Sequence, residues 1–162
     1  MTDVKFPHRF WDASAAAKLV VSEEGSDKAR QYFDTGGLFY ITPHCAVEVL
    51  SVLKAKHRRH ELTHEQYRGA CSAFMAHLRG RLKLDGPEIE AEYTFSGAED
   101  LCRKYNLDVV DAIQLYTVQF LDDLYKGDSA PLLITADAAL ASAARAENLR
   151  VWDCLREPVP AD

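Results

Sequence analysis

The sequence predicts an α/β fold in which a central, mostly parallel sheet is covered by helices on both faces. Two observations predict it. Short apolar runs alternate along the chain with longer segments of helical period. The runs are near-continuously apolar, as strands covered on both sides are. Ligand-binding crevices of such sheets lie at the carboxyl ends of the strands.

Residues 8–12 form the first predicted strand, with Phe10 and Trp11 favouring extended backbone. Ser14 is placed to cap a short alanine-rich helix. A turn at 23–26 and a second helix over 27–33 follow, stopped by Gly36-Gly37. Residues 38–41 are the second predicted strand. Thr42-Pro43 opens the next helix, which runs to about Arg59 and ends in basic residues that suit the helix dipole.

Thr63 and Gln66 have the spacing of a capping box and start another helix, an amphipathic segment extending to Leu82. Asp85-Gly86-Pro87 breaks the chain, and Ile89 is a candidate for a short strand. A helix is predicted over 96–105. Asp108 then caps a long one reaching about Tyr125. Residues 132–135 form a buried-type strand, 137–147 a helix, and 149–152 the last strand. One domain over 1–156 with a loose tail at 157–162 is the expected organisation.

Composition narrows the function. The 162 residues carry a net charge of −6, which argues against a protein that coats nucleic acid by charge alone. The four cysteines (Cys45, Cys71, Cys102, Cys154) lack metal-binding spacing and fit buried, reduced thiols of a cytoplasmic protein. There is no secretory signal pattern and no apolar stretch near the ~20 residues of a membrane span.

Four isolated carboxylates stand out. Asp12 ends Phe10-Trp11, Glu48 is the only charge between Cys45 and Leu53, Asp111 follows Val109-Val110, and Asp137 follows an apolar strand. An ionised group in such a setting is expensive unless paired. Singly, Asp111 and Asp137 suit helix starts and Asp12 precedes one, so each alone fits a cap. Glu48 does not, being well inside its helix. All four map to one edge of the predicted sheet. Converging carboxylates repel one another unless a cation joins them, and hard cations such as Mg²⁺ and Mn²⁺ prefer oxygen ligands. Metal-assisted hydrolysis is the chemistry this predicts.

The order and wording of these segments resemble the PIN-domain family, and within it the VapC-type toxins. The matching stretches are Trp11-Asp12-Ala13-Ser14-Ala15, Thr42-Pro43 with Glu48-Val49-Leu50, Leu107 with Asp111-Ala112-Ile113, and Leu133-Ile134-Thr135-Ala136-Asp137. The resemblance spans about residues 8–152. It implies a three-layer α/β/α fold and a ribonuclease using Mg²⁺ or Mn²⁺, with Asp12, Glu48, Asp111 and Asp137 as metal-binding catalytic acids. Ser14, Thr135 and Asp108 would support them. Lys54, Arg58 and Arg59 are candidate RNA contacts, with Arg79, Arg81 and Lys83 as the alternative set.

The resemblance also implies a cognate antitoxin whose tail blocks the pocket, and a homodimer. The helices bearing Phe74, Leu78 and Leu101 are contact faces only if those side chains are not core. The alternative function is a PIN-like scaffold or protein-binding module without nuclease activity, which would bind Mn²⁺ weakly and cleave nothing. A phospho-acceptor receiver domain is disfavoured, because it needs paired acids after the first strand and a lysine after the fifth. A nuclease acting on DNA through the same pocket stays open.

Overall fold

The computed structural model describes residues 8–86 and 91–161. The order of elements is β1 (Arg9–Trp11), α1 (Ala13–Ala17), α2 (Ser26–Asp34), β2 (Phe39–Ile41), α3 (Pro43–Arg58), α4 (His64–Arg79), β3 (Leu82–Leu84), α5 (Ala91–Tyr105), α6 (Val109–Leu124), β4 (Leu132–Thr135), α7 (Ala138–Ala146) and β5 (Arg150–Asp153). A single 3₁₀ turn, Gly127–Ser129, precedes β4. The five strands form one sheet in the order β3-β2-β1-β4-β5. All four pairings are parallel.

Side-chain alternation along these short strands divides the core in two. Trp11, Phe39, Ile41, Leu82, Ile134 and Trp152 face the layer of α1 to α4. Phe10 and Leu133 face the layer of α5 to α7, with Ala112, Leu115, Leu140 and Ala144. Successive strand residues point to opposite faces, so strands three or four residues long feed both layers. This is the three-layer α/β/α arrangement. Phe74 and Leu101 are buried in these two layers and Leu78 packs against the first, so their fate is core.

Local chemistry explains where the elements start. Thr42 caps α3 by accepting from the Cys45 amide at 3.3 Å, with Pro43 in the first turn. The Thr63–Gln66 capping box closes in both directions, at 3.1 and 2.8 Å. Two expected caps differ. Asp12, not Ser14, caps α1, because its carboxylate accepts from the Ser14 amide. Asp108 occupies the cap position of α6 but makes no capping hydrogen bond.

The third strand also differs from expectation. It is Leu82–Leu84, at the end of the segment assigned to the amphipathic helix, while Ile89 lies outside the described residues. Gly80 ends α4, and the Phe39 amide donates to the Arg81 carbonyl at 2.9 Å, starting the β2–β3 pairing. Three residues with one lysine on a sheet edge leave little apolar signal. Helix α5 begins at Ala91 rather than 96. In the tail, Arg145 donates to Glu157 at 2.6 Å and Val159 packs against the core.

Candidate active site

Parallel strands put every carboxyl end on one edge of the sheet, and Asp12 stands at its centre. It is the residue after β1, 2 % exposed, and its amide donates to the Ile134 carbonyl of β4 at 2.9 Å. The two oxygens of its carboxylate have different surroundings. Oδ2 accepts from the Ser14 hydroxyl at 2.5 Å, the Ser14 amide at 3.1 Å and the Thr135 hydroxyl at 3.1 Å. Oδ1 accepts from the Cys45 thiol at the long distance of 3.7 Å.

Ser14 and Thr135 work as a pair. Each directs its one hydroxyl proton to Asp12, and each accepts a backbone N–H from the loop after β4. Ser14 accepts from Ala136 at 2.9 Å and Thr135 from Asp137 at 3.0 Å. The loop carrying Asp137 is thereby fastened to Asp12. Asp137 itself caps α7, its Oδ1 accepting from the Leu140 amide at 2.9 Å.

Helix α3 brings Cys45 and Glu48, three residues apart on one face, against Asp12. Ligating atoms of Asp12, Cys45 and Glu48 all lie within 4.8 Å of one another. Oxygen Oε2 of Glu48 is buried without a hydrogen-bond partner. A buried orphan oxygen is costly unless something positive meets it.

Electrostatics carries the same message. Burial raises the Asp12 carboxyl, partly offset by the hydrogen bonds from Ser14 and Thr135. Burial raises Glu48, and the charges of Asp12, Asp108 and Asp137 raise it further. Asp111 is pushed up to about 7, by burial first and then by Asp12, Asp137, Glu48 and Asp108. Burial and the Asp12 charge push the Cys45 thiol well above its ordinary value, so it stays a neutral donor. Like charges that raise one another this way favour a divalent cation, and the carboxylate oxygens suit Mg²⁺ or Mn²⁺. The weakly bonded Oδ1 of Asp12 and the orphan Oε2 of Glu48 suit such an ion.

The comparisons with known proteins add the fold's relatives. No protein-family profile matches the chain, and none of the curated proteins matches it in sequence. Solved structures do match. One is VapC20 of Mycobacterium tuberculosis, described as a toxin that cleaves the sarcin-ricin loop. It superposes with a TM-score of 0.59 at 16% identity, covering 83% of this chain and 94% of that one. Another is PAE2754 of Pyrobaculum aerophilum, with a TM-score of 0.52 at 18% identity, covering 85% and 84%. The chain has the PIN-domain fold of VapC-type proteins.

On this PIN fold the anticipated residues fall into three groups. Asp12 and Glu48 lie together, and Asp111, Asp137 and Asp108 are near enough to act on them by charge. Ser14 and Thr135 both touch Asp12. The basic residues lie outside the acid cluster. Lys54 sits over the Tyr67 ring at 5.1 Å, Arg58 is exposed, and Arg59 is paired with Glu61 at 2.6 Å. Arg81 donates to the Phe33 carbonyl and pairs with Asp34, while Lys83 lies on β3, the strand at one edge of the sheet.

Two residues of the site were not anticipated from the sequence. Cys45 was assigned to the core, and only its three-residue offset from Glu48 hinted at the pocket. Gln114 is fully buried, and its carboxamide oxygen accepts from the Thr42 hydroxyl at 3.0 Å and the Cys45 thiol at 3.3 Å. Its offset of three from Asp111 was the available signal.

Proposed function

We propose that this protein is a Mg²⁺- or Mn²⁺-dependent endoribonuclease, the toxin of a type II toxin–antitoxin pair acting in the cytoplasm. The observation that carries the reading is the asymmetry of Asp12. Three donors hold one oxygen, while the other takes the long contact from the Cys45 thiol, and a carboxylate oxygen of Asp12 lies within 4.8 Å of one of Glu48, whose Oε2 is buried and orphaned. The PIN fold shared with an RNA-cleaving toxin supports it.

Asp12, Glu48 and Asp111 would hold the ion, with Asp137 at a second position or orienting water. A bound divalent ion supplies Lewis acidity, lowering the pKa of water and stabilising charge on the scissile phosphate. The chain's own contribution is rigidity. Ser14 and Thr135 fix the orientation of the Asp12 carboxylate. Gln114 binds the start of α3 to α6, holding Glu48 and Asp111 on facing helices. The pocket edge is lined by carboxylates and hydroxyls, which suits a phosphodiester backbone met through a cation rather than by direct charge.

Partners follow the same reading: an RNA substrate, an antitoxin segment that covers the acids, and a second copy of the chain. Tyr93, Phe95, Phe120 and Leu124, all exposed on the α5–α6 hairpin, give such a dimer an apolar face. Among the described residues no helix is long and apolar enough to cross a membrane.

The test is cleavage of a mixed RNA pool by purified protein, with and without Mn²⁺, beside Asp12→Asn. Metal-dependent cutting that the substitution removes supports the nuclease. Folded, inhibitor-free protein that cuts nothing would favour a PIN-fold scaffold instead.

A further inference from the structure

The acid pocket must admit a polyanion, yet the basic residues on α3 lie on only one side of it. On the other side the chain sets an arginine. Strands β4 and β5 pair with Thr135 opposite Asp153, so the turn after β5 runs beside the loop that carries Asp137. Asp153 is buried and organises that turn. Its Oδ1 accepts from the amides of Leu155 and Arg156, both at 3.1 Å. Its Oδ2 accepts from Nη1 of Arg156 at 2.8 Å. Backbone and side chain of Arg156 are thus anchored on one carboxylate.

The same Nη1 donates to the Ala136 carbonyl at 3.2 Å. The amide of that residue is held by Ser14, which in turn donates to Asp12. The guanidinium therefore sits one peptide from Asp137 and is linked through that peptide to the central acid. Asp153 first, and more weakly Asp137, favour its charged form. The Arg156 side chain is still 52% exposed. A pre-oriented planar fork with donors turned to solvent is the arrangement that takes a phosphate in two hydrogen bonds.

Resting on the nuclease reading, we propose that Arg156 is a substrate-binding residue, holding an RNA phosphate that flanks the scissile one on the β4–β5 side of the pocket. A single strand crossing the sheet edge would then meet cations on both sides of the acids. Arg156 acts on RNA and metal with opposite signs. It attracts the phosphate and repels a divalent cation near Asp137.

The experiment uses the full chain in two titrations. The first follows a fluorescent single-stranded RNA by anisotropy in metal-free buffer, across a salt series. Because Asp153 at 2.8 Å already offsets part of its charge, Arg156→Gln is expected to weaken RNA binding roughly twofold and to lower the log–log salt slope by less than the ~0.7 of a full single-strand phosphate contact. Arg156→Lys, which keeps the charge, should keep the slope. The second follows Mn²⁺ by calorimetry without RNA, where Arg156→Gln should bind Mn²⁺ roughly twofold tighter or more. A merely structural arginine would weaken RNA and Mn²⁺ binding together and lower the melting temperature, and that result overturns the proposal. So does unchanged RNA affinity and slope in Arg156→Gln. Should the wild-type protein bind Mn²⁺ but neither bind nor cut RNA, the nuclease reading fails and this proposal with it. A variant deficit against an RNA-binding wild type separates the two.

Discussion

The hydroxyl of Thr42 donates to the buried carboxamide oxygen of Gln114 at 3.0 Å, joining the first residue before α3 to the middle of α6. Those two helices carry Glu48 and Asp111. Gln114 also takes the Cys45 thiol, so one oxygen terminates two buried donors. Gln114→Met keeps the volume and removes the acceptor. The Thr42 hydroxyl and Cys45 thiol lose their acceptor, but the buried, unpartnered Nε2 of Gln114 is removed with it, so the net cost should be about 1 kcal/mol or less. Because the tie also sets the distance between acids, Mn²⁺ affinity should fall several-fold. Thermal melting with calorimetric Mn²⁺ titration checks both, and a variant with unaltered metal affinity would remove Gln114 from the site.

Ser14 bears on the pocket more directly. Ser14→Ala deletes the 2.5 Å bond to Asp12 and the acceptor for the Ala136 amide. Asp12 then loses one of the groups that offset its burial, so its carboxyl rises further. The expected result is a loss of about 1–3 kcal/mol in stability, with weaker Mn²⁺ binding at neutral pH that recovers at higher pH. Ser14→Thr, retaining the hydroxyl, should restore most of the affinity. Equal Mn²⁺ binding by Ser14→Ala and wild type across pH 6–9 would contradict this account.

Asp111 gives the stability a pH dependence of unusual sign. Its carboxyl sits at about 7 in the folded chain, against roughly 3.9 for an unfolded aspartate. Between those values the folded state holds more protons. This contribution is therefore fully present below the unfolded pKa and is lost as pH rises through about 7. Glu48 and Asp12, both raised, act in the same direction. Metal-free protein should melt higher near pH 5.5 than at pH 8, and Asp111→Asn should flatten the difference. Mn²⁺ binds the deprotonated acids and should restore stability at pH 8. A metal-free melting temperature that climbs from pH 5.5 to 8 in the wild type would refute the assignment.

What the sequence made legible follows from what is local. The strands before Asp12 and Asp137 were visible because β1 and β4 are buried on both faces and, Arg9 and Thr135 apart, are written in apolar residues. The α3 and α4 starts were visible because Thr42, Pro43, Thr63 and Gln66 cap by contacts within three residues. Strand β3 was hidden, since Leu82-Lys83-Leu84 owes its conformation to pairing with Phe39–Ile41 some forty residues earlier. The same limit applies at the site. Glu48 was conspicuous as a charge in an apolar helix face. Cys45 and Gln114 resemble ordinary core and polar residues until α3 and α6 come together. Arg156 acquires its position only through the Thr135–Asp153 register.

The basic end of α3 yields the last prediction. An α-helix rises 1.5 Å per residue, so Lys54 lies about 9 Å and Arg58 about 15 Å along the axis from Glu48. Both are exposed, on the stretch of α3 that leads away from the pocket. Arg59 differs, because Glu61 at 2.6 Å already neutralises much of its charge. Lys56 is likewise bridged to Glu23 at 2.7 Å. The double substitution Lys54→Gln with Arg58→Gln should lower the salt slope of RNA binding by about 1.4, two contacts at roughly 0.7 each. Arg59→Gln should lower it by less than half of one contact. Anisotropy of labelled single-stranded RNA over a salt series separates these values. An undiminished slope in the double variant would place the RNA path elsewhere, on the Arg79, Arg81 and Lys83 side of the sheet.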